Sequence, residues 1–141
     1  MDNPAAAPSA LLIEDEQAVR RATAQALELE GFTVTACASA EEAMPLLNRD
    51  FPGVLVTDLR LPGWSGLQVL AHVMHIDPDL PVIVVTGHGD VSMAVEAMRA
   101  GAYDFVEKPF GSDSLLEIAL RAQEKRSLVL ENRRLREAWA H

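Results

Sequence analysis

Five short apolar runs punctuate the chain: ALLIE (10–14), TVTAC (33–37), GVLVT (53–57), LPVIVVT (80–86) and YDFVE (103–107). The stretches between them carry helical periodicity. Short apolar strands alternating with helices are what a parallel sheet covered on both faces requires. The first helix, about 17–30, places Val19, Ala22, Ala26 and Leu29 on one face and stops at Gly31. The second opens with Ser39 as cap and Glu42 three residues on, the spacing of a capping box. The third follows Gly66 and ends before Pro78; the fourth opens at an Asp90 cap and closes on Gly101. The fifth opens with Ser112 as cap and runs without Gly or Pro to His141, about twice what one domain layer needs. The pattern predicts a flexible Pro/Ala-rich tail over 1–9, one α/β domain over 10–125, and a helical extension over 126–141 that projects beyond the globule.

Composition narrows the partners. The chain has 141 residues, enough for one domain. Its 12 Lys+Arg against 21 Asp+Glu give a net charge of -9, which disfavours nucleic acid and anionic membranes as direct partners. The single cysteine, Cys37, permits no internal disulfide and is expected to be buried and inert. With no signal-like N-terminus and no apolar run of membrane length, the expected location is the cytoplasm.

The candidate chemistry sits at strand ends. Right-handed crossovers bring every strand's C-terminal end to one edge of the sheet. There strand one runs into Glu14-Asp15-Glu16, strand three into Asp58, strand four into Thr86 and TGHGD, and strand five into Lys108-Pro109. If strands one, three, four and five are neighbours, Asp15, Asp58, Thr86 and Lys108 converge on one shallow pocket. Crowded carboxylates repel one another unless a cation is expected. Oxygen ligands with open positions suit Mg²⁺ and a phosphoryl oxygen. Lys108 adds fixed positive charge, Thr86 a hydroxyl, and Gly87 and Gly89 leave room for an incoming donor. The combination describes an aspartyl nucleophile with groups that stabilise transferred phosphoryl charge.

The motifs LLIEDE, VTDLRLPGWSG, VVTGHGD and GAYDFVEKPF, with Thr86 and Lys108 falling 28 and 50 residues after Asp58, resemble the receiver domain of two-component response regulators. The likeness is to the subclass fused to ATPases that activate sigma-54 RNA polymerase, among them dicarboxylate-transport regulators. It covers about residues 9–125, and EKRSLVLENRRLRE resembles the linker of that subclass. The resemblance implies a doubly wound, flavodoxin-like (βα)5 sheet in strand order 2-1-3-4-5. It implies Asp58 as phosphoacceptor from a sensor histidine kinase, and Mg²⁺ held by Asp15, Asp58 and the Arg60 main-chain carbonyl, with Glu14 acting through a water. Lys108, before a cis bond to Pro109, would pair with the phosphoryl group. Thr86 and Phe105 would form a coupled switch that reshapes the face of helix four, strand five and helix five. Arg60 and His88 are expected to flank the site and modulate water's access to the acyl phosphate. Glu14 stands where many members have Asp, and Phe105 where some have Tyr.

Other readings are weaker. A haloacid-dehalogenase-type phosphatase wants an acid two residues after its nucleophile, where this chain has Arg60. A flavodoxin-like electron carrier wants a phosphate-cradling loop after strand one, where this chain has three acids. His72 and His75, one turn apart without a third ligand, read as surface or groove residues, and Trp64 as cover for its loop. In the last helix, Leu128 and Leu135 fit heptad d positions, with Asn132 and Trp139 at a, Glu131 at g and Arg136 at e. That pattern predicts a two-stranded parallel coiled coil in a homodimer. The chain shows neither a phosphate-binding ATPase motif nor a DNA-binding helix pair, so the ATPase and DNA-binding output domains are expected further along a longer native chain.

Overall fold

The computed structural model describes residues 8–87, 89–108 and 112–140, the side chains of Ser112 and Asp113 excepted. Strands β1 (Ser9–Ile13), β2 (Thr33–Cys37), β3 (Val54–Asp58), β4 (Val82–Thr86) and β5 (Asp104–Glu107) form one parallel sheet in the order β2-β1-β3-β4-β5. Each strand is followed by a helix: α1 (Gln17–Leu29), α2 (Ala40–Ala43), α3 (Gly66–Ile76), α4 (Val91–Arg99) and α5 (Ser112–Ala140). α2 gives way directly to a single 3-10 turn, Met44–Leu46, with Pro45 at its centre. This is the expected doubly wound fold. Ser9, expected in the tail, is instead the first strand residue, paired with Thr33 and tied by its N–H to Gln123 Oε1 at 3.0 Å.

Strand alternation divides the core into two layers. Leu11, Ile13, Leu55, Val82 and Val84 face α2, α3 and α4, burying Ala40, Ala43, Val69, Leu70, Val73 and Ala97. Ala10, Leu12, Val54, Val56, Ile83 and Val85 face α1 and α5, burying Leu27, Leu115, Ala119 and Ala122. Because β1, β3 and β4 are buried on both faces, they read in the sequence as unbroken apolar runs.

Three helix details differ from the sequence expectation. In α1 the buried residues are Thr23 and Leu27, while Leu29 is 80% exposed. The inward stripe is rotated because Leu27, through Phe32 in the following turn, sets the contact with the sheet. At α2 Ser39 does cap Glu42 N–H, but Glu42 Oε1 accepts from Ala38 rather than from the cap residue, so the box is not reciprocal. A reciprocal capping box stands at α3 instead, between Ser65 and Gln68. Gly31 (φ +96°) and Gly101 (φ +113°) take the left-handed conformation after α1 and α4, as helix-ending glycines do. The Ser112 cap lies outside the described side chains.

The projection of α5 from residue 126 also needs correction, because the helix stays fastened to the body for two further turns. Arg126 is 0% exposed, and its guanidinium donates to Phe51 O (2.9 Å), Arg49 O (3.0 Å) and Asp77 Oδ2 (2.8 Å). Seven residues on, Arg133 reaches the other Asp77 oxygen at 2.8 Å and Arg49 O at 3.0 Å. Burial pushes the Asp77 carboxyl up, but hydrogen bonds from Arg133 and Arg126, the Asp79 N–H and the Arg126 charge outweigh it and hold it far below the ordinary carboxylate range.

Arg126→Ala leaves the buried Asp77 with Arg133 alone and takes the guanidinium donor from Phe51 O, so it should lower the unfolding free energy by about 3 kcal/mol. Because the Asp77 pKa is depressed in the fold, its contribution is complete above the unfolded carboxyl value and is lost as pH falls through the folded one. Urea melts of both proteins should therefore differ by a constant amount from pH 5 to 8, and the gap should begin to narrow below about pH 4 and go on narrowing as pH falls further.

Candidate functional site

The residues singled out at the strand ends do meet. Glu14 follows β1, its N–H bonded to Cys37 O, and its side chain is buried with Oε2 accepting from Glu16 N–H at 3.1 Å. Asp58 is the last residue of β3, buried, paired in register with Val85. Lys108 leaves β5 with its N–H on Thr86 O, and its ammonium reaches Asp58 Oδ2 at 2.7 Å and Glu14 Oε1 at 3.1 Å. Asp15 is exposed beside them.

One carboxylate oxygen from each of Glu14, Asp15 and Asp58 can be chosen so that all three lie within 4.8 Å of one another. Among the described residues this is the one such acidic, His or Cys grouping. An oxygen-only donor set with an exposed member fits a small hard cation that keeps several waters, as Mg²⁺ does.

The charges perturb one another as expected of such crowding. Burial raises the Glu14 pKa and the Asp58 charge adds to it, while the Glu16 N–H and the Lys108 ammonium oppose it. For Lys108 burial works to lower the pKa, but hydrogen bonds and charge from Asp58 and Glu14 raise it above the ordinary lysine value. The lysine therefore stands as a fixed cation between two acids.

The flanking groups fall into place less uniformly. The Arg60 N–H donates to Asp58 Oδ1 at 3.1 Å, while its guanidinium turns away to Asp90. Thr86 is buried, and its hydroxyl points to β5, where Val106 O lies 3.5 Å away. Beside it a cavity of about 490 Å³ opens between α4 and β5, lined by Thr86, Val91, Val95, Met98 and Phe105 among others. Phe105 is 43% exposed at its edge. Trp64 meets His72 edge-to-face, centroids 5.5 Å apart, so it covers its loop as expected. Cys37 is buried, and burial pushes its thiol pKa up. His88 and the Lys108-Pro109 bond lie outside the described residues.

The chain matches the response regulator receiver domain family over residues 10–120. It belongs to that family. It is 54% identical over 133 residues to the C4-dicarboxylate transport transcriptional regulatory protein DctD of Rhizobium meliloti, covering 94% of this chain and 29% of that protein. It is 52% identical over 130 residues to the DctD of Pseudomonas aeruginosa, covering 92% of this chain and 28% of that protein. The crystal structure of a response regulator receiver domain protein from Clostridium thermocellum superposes with a TM-score of 0.82 at 30% identity, covering 86% of this chain and 98% of that one. The chain thus spans less than a third of either dicarboxylate-transport regulator. Receiver domains generally bind Mg²⁺ in an acidic pocket, and Glu14, Asp15 and Asp58 form such a pocket in this one.

One glycine is essential to the site's shape. A Cβ on Gly66 would stand 2.5 Å from Asp58 O and from Leu59 Cα, both main-chain atoms. Gly66 N–H also bonds Leu59 O at 2.9 Å. Gly66→Ala must displace the backbone that carries Asp58, and should cost about 1–3 kcal/mol of stability, measured by urea denaturation.

Proposed function

We propose that this chain is the phosphorylation-operated switch of a two-component system, with Asp58 taking a phosphoryl group from a histidine kinase. The observation that carries the reading is the Lys108 ammonium seated between Asp58 and Glu14 at the strand ends, with Asp15 beside them. An Asp58 oxygen attacks phosphorus, the P–N bond of the phosphohistidine breaks, and its electron pair returns to the imidazole. Lys108 then pairs with the new phosphoryl oxygens. Asp15, Asp58 and the Arg60 carbonyl would ligate Mg²⁺, with Glu14 acting through water, and the ion supplies further neutralisation of phosphoryl charge. Arg60, whose N–H lies on Asp58 Oδ1, would modulate attack by water there, and the family resemblance assigns the same part to His88.

The output runs through Thr86 and Phe105. The Thr86 hydroxyl faces β5, and Phe105, 43% exposed, lines the cavity beside α4. Movement of Thr86 toward a phosphoryl oxygen opens the space into which Phe105 turns, reshaping the face of α4, β5 and α5. By its likeness to the two dicarboxylate-transport regulators, the longer chain controls transcription through a sigma-54-dependent ATPase and a DNA-binding domain, with residues 10–125 as receiver and 126–141 as linker.

The linker stripe suits a homodimer. At about 100° per residue, Leu128, Asn132, Leu135 and Trp139 lie on the side of α5 opposite Arg126. Leu128, Leu135 and Trp139 are 61%, 55% and 88% exposed. The anchored face and the heptad seam therefore do not compete for the same partner.

Treatment with acetyl phosphate and Mg²⁺ should add one phosphoryl group, seen by intact mass, that Asp58→Asn does not acquire. Equal labelling of both proteins would remove Asp58 from its role. Sedimentation equilibrium at tens of micromolar should show a dimer that Leu128→Asp/Leu135→Asp loses; a full chain monomeric with and without beryllofluoride refutes the seam.

A further inference from the structure

Asp90 stands at the N-cap of α4, where an aspartate ordinarily accepts from the N–H of the second or third helical residue. It makes no such bond. Its carboxylate is turned instead onto Arg60, whose Nε donates to Oδ2 and Nη2 to Oδ1, both at 2.9 Å. The pair joins the loop after β3 to the loop after β4, across thirty residues of sequence. The Gly87 N–H supports the same carboxylate. A Cβ on Gly87 would come within 3.1 Å of Asp90 Oδ2, so glycine next to Thr86 is what lets the carboxylate lie there.

Arg60 is equally well placed for a second partner. Its own N–H is already bonded to Asp58 Oδ1, and its guanidinium feels the Asp58 charge as well as that of Asp90. The Arg60 side chain is 67% exposed in the Asp90 pair, and an exposed ion pair of this kind is weak enough to exchange. A phosphoryl group on Asp58 replaces the single carboxylate charge with close to two and adds three acceptor oxygens, which a guanidinium fork matches better than a single carboxylate.

We propose that Arg60 and Asp90 form an exchangeable latch: with Asp58 unmodified, Arg60 holds the Asp90 carboxylate off the α4 N-terminus, and a phosphoryl group on Asp58 draws Arg60 away and frees Asp90 to cap α4. The second half rests on Asp58 being the phosphoacceptor; the first half does not. The latch gives α4 two states that differ by one side-chain cap, and it links the chemistry at β3 to the helix that borders the apolar cavity. Arg60 acts here as a positioning residue, through Asp90.

NMR on the full chain separates the two halves. The readouts are hydrogen exchange of the Ser92 and Met93 N–H groups and the Arg60 Nε–Hε signal, with and without Mg²⁺ and beryllofluoride. Without beryllofluoride, Arg60→Gln and Asp90→Ser should each slow exchange at those amides by about threefold or more, the effect of a restored cap. Asp90→Ala should not slow it. In the unsubstituted protein beryllofluoride should slow the same amides and shift the Arg60 signal. Slowing in Asp90→Ser but not in Arg60→Gln overturns the latch, because Arg60 then withholds nothing. Beryllofluoride that moves the Asp58 and Lys108 signals while leaving Ser92, Met93 and the Arg60 signal unchanged overturns the exchange. Failure of beryllofluoride to move the Asp58 signal overturns the phosphoacceptor reading and the exchange with it, and the Arg60→Gln result then still decides the first half.

Discussion

Two carboxylates buried at the ends of β1 and β3 are tolerable only because Lys108 stands between them. Without a cation, Glu14 and Asp58 face each other as like charges in a region that water reaches poorly, and the Glu14 carboxyl, raised by burial and by the Asp58 charge, loses the ammonium that opposes that rise. The three strand ends are brought together by sheet order alone: β1 and β3 are neighbours, and β5 delivers Lys108 from beyond β4. The core layers above and below fix those ends, so the position of each charge is set by apolar residues that take no part in the chemistry. This is why a site of long polar side chains can be well defined at the open edge of a sheet.

Much of this was legible in the sequence, for a physical reason. Strands buried on both faces leave apolar runs that no loop imitates, and polar residues at their C-terminal ends have one edge to share. Asp58, Glu14, Asp15 and Lys108 were found from that logic, and their meeting needed only the strand order. The helices were less legible. In α1 the stripe through Val19 and Leu29 scored well because Thr23, which is buried, is polar, and Leu29, which is apolar, is exposed. Periodicity weighs residue types and cannot see which face the neighbouring turn presses onto the sheet.

Two side chains show a different limit. Asp90 reads as a cap from its place before a helix, and it does sit there, but its carboxylate answers to Arg60, thirty residues away. Asp77 carried no signal beyond its place between α3 and Pro78. Its partners Arg126 and Arg133 are spaced seven apart on one helical face, which in retrospect is a mark of a common target. Long-range pairs of charges leave no periodic trace, so both ion pairs emerged only with the tertiary structure.

The two clusters lie at opposite ends of the same sheet. Glu14, Asp15, Asp58 and Lys108 crowd the C-terminal edge, and Asp77 with its two arginines lies by the loops that lead into β3 and β4. The first is poised to gain charge and reorganise; the second is saturated, with every buried side-chain polar atom among the described residues partnered. Clamped at Arg126 and again two turns later at Arg133, α5 has no hinge where it leaves the globule. It behaves as a stiff spindle set into the domain, and any tilt of the domain turns the free last two turns with it. The last turns of α5, up to Ala140, therefore take the orientation of the whole body, in the way a key's teeth follow its bow.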